Sequence, residues 1–185
     1  MRWVWGKAKN GAIPHPLICH MLDTAHVALR LLDVALPGSF LDALHKGPVE
    51  RAVRLLAVAF IAGAHDVGKC SCWQMKRQDL LPGDAPPGLP DVLWESLSRR
   101  VQHGLMTDVH LRQWLMQRFR LRLEIAGLLA ETVGGHHGTF FDDISRRLLR
   151  NPAGEGAMLG GPGWSTLRDE HLEELARLLG DPDLA

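Results

Sequence analysis

The sequence predicts an all-α domain. Apolar residues recur at helical spacing through most of the chain, proline and glycine clusters break it at intervals, and no stretch alternates apolar and polar residues as a half-buried strand would. Its 185 residues suffice for one domain with a sizeable core.

Residues 17–36, LICHMLDTAHVALRLLDVAL, open the helical series. Leu17, Cys19 or His20, Asp23 or Thr24, Val27 and Leu31 share a stripe, and Pro37-Gly38 stops the helix. Residues 49–62 predict a second helix, apolar nearly all round after Arg54 and therefore central. It runs into AHDVGKCSCWQ, residues 64–74. Residues 82–90, PGDAPPGLP, form a surface loop, because proline removes donors and fixes φ. A helix over 91–103 is expected to end at His103-Gly104. One long amphipathic helix, or two, covers 108–133 and ends at GGHHG. A glycine-rich stretch follows over 151–164, and a charged helix over 165–180 closes the chain.

Net charge is zero, so no global basic field announces a nucleic-acid partner, and any such surface must be local. Arg99-Arg100, Arg118, Arg120, Arg122 and Arg146-Arg147 give local basic density. The ordinary reading of such residues is a solvated helix face, although phosphate contacts need only a few well-placed cations. No apolar run is long enough to span a bilayer, and the start, MRWVWGKAKNG, lacks a signal-peptide core. Cytoplasmic location is therefore expected, with no membrane partner. Three cysteines, Cys19, Cys70 and Cys72, make no disulfide framework and fit a reducing compartment. Cys70 and Cys72 read as small buried thiols. The tryptophans read as packing residues, although Trp73, beside Gln74, has a face on which a base would stack.

The chemistry lies in the histidines, of which there are ten. His20, His65-Asp66, His103 and His136-His137 fall at or near predicted helix ends, where an antiparallel bundle brings distant segments into one layer. His15, His26, His45, His110 and His171 read as structural or surface residues. Neutral imidazoles with a carboxylate suit a transition metal such as iron, manganese, nickel or zinc. A carboxylate between two imidazole sets is placed to bridge two ions, and paired ions stabilise both oxygens of a phosphate displacement. Lys69, one turn beyond Asp66, would bring a cation to the phosphate.

HPLICHMLDTA around His20, HDVGK from His65, QHG at His103, GGHHG at His136 and WGK at Trp5 to Lys7, in that order, resemble the HD metallohydrolase superfamily. They are most similar to the HD nuclease domain of the type I CRISPR nuclease-helicase, over residues 3 to 141. The resemblance implies an HD-superfamily helical domain with its metal site at converging helix ends. It assigns His20, His65 and Asp66 to one metal, and Asp66, His103, His136 and His137 to the other, with Asp66 bridging. Asp66 and Lys69 would carry catalysis. One or two divalent ions are implied, with iron, manganese, nickel or cobalt preferred over zinc.

The activity implied is metal-dependent cleavage of single-stranded DNA in CRISPR interference, with a target-bound effector (surveillance) complex and a helicase domain or subunit as partners. Two alternatives stand beside it: an HD phosphohydrolase acting on nucleotides, and a catalytically impaired docking module. Relatives complete the first metal with an aspartate on a later, small-and-apolar helix. Here Asp142, Asp143, Asp169, Asp181 and Asp183 follow GGHHG, and none lies in such a helix. The first metal is therefore expected to bind weakly and the second to fill first. The reading divides the chain into a nuclease domain, 1–150, and a glycine-rich linker with a terminal helix, 151–185, truncated relative to the family.

Overall fold

The computed structural model describes residues 4–7, 15–35, 51–71, 102–151, 159–182 and 184. The loop expected over 82–90, the helix expected over 91–101, Trp73, Gln74 and Cys72, Arg99 and Arg100, His45 and Asp183 lie outside the described residues.

The chain enters through a short antiparallel ribbon, β1 (Trp5–Lys7) with β2 (His15–Pro16). The sequence reading found no strand here, because three and two residues are too short to show alternation. The ribbon leads directly into α1 (Leu17–Val34), whose first amide donates to the Val4 carbonyl at 2.7 Å. The buried face of α1 is Leu17, Met21, Ala25 and Leu32, with His20 beside it. Val27 and Leu31, expected on this face, point outward. The stripe is rotated by about one residue, which turns His20 inward.

Helix α2 (Arg51–Gly63) packs against α1 and buries Ala59, Phe60 and Gly63. It is a half-exposed layer rather than the central helix expected from its composition, since Val58 is exposed and Leu55 and Leu56 are only partly covered. The chain then tightens into a 3-10 turn, Ala64–Lys69, nearly all of it buried. Side chains three apart eclipse in a 3-10 helix, so Asp66 and Lys69 are brought together.

The central helix is α3 (His103–Arg118), which packs on both the 3-10 turn and α4 (Leu123–Gly134). His103 begins this helix, whereas the sequence reading placed it at the end of a preceding one. The expected long helix over 108–133 is two, separated at Phe119–Arg122, where Arg120 takes φ 57° and breaks the helical path. Phe60 stacks on Trp114, with ring centroids 5.6 Å apart, at the heart of the core.

Helix α5 (Asp143–Leu149) starts at an Asp142 cap, whose carboxylate accepts from the Ser145 amide at 2.7 Å. Helix α6 (Pro162–Leu178) begins three residues earlier than expected, with Pro162 in its first turn, where a missing amide proton costs nothing. Trp164, Leu172 and Leu175 of α6 enter the same core as Leu17 and Phe60. The terminal helix is thus packed into the body of the domain.

Candidate metal centre

Four chain segments deliver six side chains to one place. His20 comes from the first turn of α1, His65 and Asp66 from the 3-10 turn, His103 from the first residue of α3, and His136 and His137 from the turn after α4. Asp66 is the hub. Its Oδ2 lies 2.8 Å from His20 Nε2 and 3.1 Å from His65 Nε2. Its Oδ1 lies 3.1 Å from His103 Nε2 and 3.5 Å from His136 Nε2. His137 Nε2 completes the second side, 3.0 Å from His103 Nε2. The donor atoms form two clusters, His20–His65–Asp66 and His103–His136–His137, each with all its donors within 4.8 Å of one another.

Close backbone packing fixes this convergence. Gly68 lies against the start of α3: a Cβ there would stand 2.1 Å from the His103 carbonyl oxygen. Its amide donates to Thr107 Oγ1 at 3.0 Å, and Thr107 Oγ1 donates to the His65 carbonyl at 2.9 Å. Gly104 and Gly134 meet backbone to backbone where α3 starts and α4 ends, so a Cβ on Gly104 would sit 2.3 Å from the Gly134 oxygen. The glycines of HDVGK, QHG and GGHHG are therefore the contacts that hold His65, His103 and His136 in register.

The chemistry of the donor set fits a cation. His65 Nδ1 lies 3.0 Å from the Ala62 carbonyl, and His136 Nδ1 lies 2.8 Å from the Val133 carbonyl. A carbonyl only accepts, so both Nδ1 atoms carry protons, and each ring turns its Nε2 toward Asp66 as the atom left to bind a cation. Asp66 Oδ1 is buried, and no donor is aimed at it in hydrogen-bond geometry. Lone pairs from imidazole and carboxylate facing one another at these distances call for a positive charge between them.

Electrostatics point the same way. Burial alone would raise the Asp66 pKa, but the imidazoles of His103, His136, His20 and His65 outweigh it and hold the carboxyl far below the usual range. His137 is held below its ordinary value by partial desolvation and by His136 and His103, so it is neutral and available as a ligand near pH 7.

Lys69 is more committed than the sequence suggests. Its Nζ donates to Asp66 Oδ2 at 2.6 Å and to the Gly6 carbonyl at 3.0 Å. It holds the carboxylate and ties the entry ribbon to the 3-10 turn. The remaining aspartates after GGHHG are engaged elsewhere: Asp142 caps α5, Asp143 accepts from Arg146, Asp169 pairs with His110, and Asp181 accepts from Arg118. Among the described residues, no further carboxylate joins His20, His65 and Asp66.

Behind the second cluster lies a network that sequence reasoning missed. Asp108 of α3 is fully buried and accepts from Arg146 Nε at 2.7 Å and Arg112 at 3.1 Å. Arg146 also reaches Glu131 of α4 and Asp143 of α5. Its side chain, read as part of a solvated basic face, is the buried clamp joining three helices. The available signal was Asp108 inside the apolar stretch LMTDVHL, a buried position that demands a cation. Arg118 pairs with Glu173 and Asp181. Of the histidines read as structural or surface, His15 lies 2.9 Å from Asp23, His26 is exposed, and His110 and His171 lie in the interior.

The family model described as "Cas3, HD domain" matches residues 5–184. The CRISPR-associated endonuclease/helicase Cas3 of Thermus thermophilus is 34% identical over 185 residues, which are 95% of this chain and 18% of that protein. The chain thus spans about a fifth of the curated relative it matches. Among solved structures, the Thermus thermophilus cas3 HD domain in the presence of Ni2+ has a TM-score of 0.70 and 29% identity, covering 98% of this chain and 66% of that one. A pre-nicking CRISPR RNA-guided surveillance complex contains a chain with a TM-score of 0.74 and 26% identity, covering 98% of this chain and 21% of its own.

Proposed function

The chain belongs to the Cas3 HD-domain family, and on that premise we propose that it is a metal-dependent nuclease that hydrolyses phosphodiester bonds in single-stranded DNA during CRISPR interference. The observation that carries this is Asp66, a buried carboxylate with two imidazole nitrogens near each oxygen. His20, His65 and Asp66 would hold one divalent ion, and Asp66, His103, His136 and His137 a second. Bound there, the pair supplies Lewis acidity toward the attacking and leaving oxygens of the phosphodiester. Iron, manganese, nickel or cobalt suits this imidazole-rich set, and the structure of the Thermus relative in the presence of Ni2+ supports that choice.

The protein's own part is orientation. The Ala62 and Val133 carbonyls fix the ring tautomers of His65 and His136. Lys69 holds Asp66 Oδ2 and adds positive charge to the wall that faces the phosphate. His20 and Asp66 are buried, whereas His137 is exposed and His103 and His136 keep 17% and 20% of their side chains accessible. The strand therefore approaches from the His137 side. The helicase named in the Thermus relative and the surveillance complex of the structural relative point to the machinery that would deliver that strand. Acting on unwound DNA, the protein would work in the cytoplasm, and no helix among the described residues is long and apolar enough to cross a membrane.

The test is incubation of linear and circular single-stranded DNA with the protein and Mn2+. The expected result is cleavage that His65→Ala reduces at least 100-fold, since removing a ligand of the reacting site costs more than one of its neighbours. Intact DNA alongside hydrolysed nucleotides would overturn the proposal.

A further inference from the structure

We propose that Phe140 is a stacking platform for an unpaired base of the strand held at the His103–His136–His137 cluster; this rests on the nuclease reading above. Among the described residues, the rings of Phe60, Trp114, Phe119 and Trp164 are buried, while Phe140 is 66% exposed. A single exposed apolar residue is ordinary. The placement of this one is specific. Its ring rests against the backbone that precedes the site: a Cβ on Gly135 would stand 2.6 and 2.7 Å from Phe140 Cε1 and Cδ1. Gly135 immediately precedes His136. Only a glycine there lets the ring settle at the edge of the metal-binding turn.

The neighbouring phenylalanine explains why the ring stays outside. Phe141 packs with Leu105, Met106, Val109 and Leu149 and approaches Gly104. Anchoring Phe141 in this minor core leaves Phe140 exposed against Gly135, two residues before the exposed His137. An accessible flat ring beside a phosphate-handling site stacks any base, because every base has a π-face. The platform would set which phosphate reaches the cluster without selecting sequence.

The test compares binding of dT20 with binding of an abasic oligonucleotide of equal length, in EDTA so that no strand is cut, by fluorescence anisotropy. Both probes carry the same phosphates, and only dT20 carries bases. The intact protein is expected to prefer dT20 by about 10-fold, the amount one stacked base supplies. F140A is expected to abolish that preference while leaving abasic binding unchanged, and F140W to restore it. If the preference survives F140A, the base platform is overturned and the nuclease reading stands. If Phe140 instead belongs to a protein-binding face, F140A leaves both affinities untouched, which also overturns the platform. If the intact protein binds neither oligonucleotide, the platform is overturned, and the Mn2+ cleavage assay above decides the nuclease reading separately.

Discussion

Gly68→Ala tests how the centre is assembled, without touching any donor atom. A Cβ at position 68 would lie 2.1 Å from the His103 carbonyl oxygen, 2.6 Å from the Thr107 amide nitrogen and 2.8 Å from Thr107 Oγ1. The first two are backbone atoms of α3, so no side-chain rotation relieves the clash. Ordinary contact begins at 3.4 Å, and the start of α3 must retreat by roughly 1.3 Å. His103 moves with it, and its Nε2, now 3.1 Å from Asp66 Oδ1 and 3.0 Å from His137 Nε2, leaves the cluster. Metal ligands tolerate only about 0.2 Å of misplacement. Overpacking costs about 1–3 kcal/mol, and loss of the Gly68–Thr107 hydrogen bond adds about 1 kcal/mol. Together these correspond to a fall in Tm of roughly 5–15 °C for a domain of this size. Calorimetry reads the stability, and elemental analysis of dialysed protein reads the metal content. A variant with unchanged Tm and unchanged metal content would refute the idea that Gly68 clamps the 3-10 turn to α3.

Three further outcomes are expected. Divalent-ion titration by calorimetry should show the His103–His136–His137 side filling first and the His20–His65 side filling at least 10-fold more weakly, since Lys69 Nζ already occupies Asp66 Oδ2 at 2.6 Å; two equally tight ions would refute this. Arg146→Met removes the buried partner of Asp108 and should lower unfolding stability in urea by about 3–5 kcal/mol, with an unchanged midpoint ruling out the clamp. Burial holds His110 and His171 below their ordinary pKa, so the folded chain keeps them neutral while the unfolded chain binds protons below about pH 6.5. The unfolded state gains protons as pH falls, so their contribution is complete above about pH 7.5 and is lost below 6.5, at up to about 1.4 kcal/mol per unit for each. Tm should drop between pH 7.5 and 5.5, and His171→Leu should flatten that slope; parallel curves would contradict it.

The ordered motifs made the candidate site legible because each carries its own glycine. HDVGK, QHG and GGHHG bring the histidines together with the close approaches that position them, so spacing along the chain anticipates spacing in space. The helices were legible where periodicity was strong, as in α1. Rotation about the α1 axis was not, because Val27 and Leu31 are as apolar as the residues that face the core. The central role of α3 was hidden by its polar residues. Thr107 and Asp108 are buried there only because Gly68, Arg112 and Arg146 satisfy them, and those partners come from three different places. Arg120, at φ 57°, divides the expected long helix without any proline or glycine to mark the break. Long-range pairing is the information that periodicity lacks.

The carboxylate of Asp66 takes its neighbours from segments as far apart as residues 20 and 136. Such a constellation does not exist in a nascent or partly melted chain, because forming it means closing long loops, each at an entropic cost. A fragment or a heat-damaged copy therefore presents scattered histidines in place of a gathered donor set. The long-range topology makes the donor set a report on the whole chain: it exists only when every segment has closed.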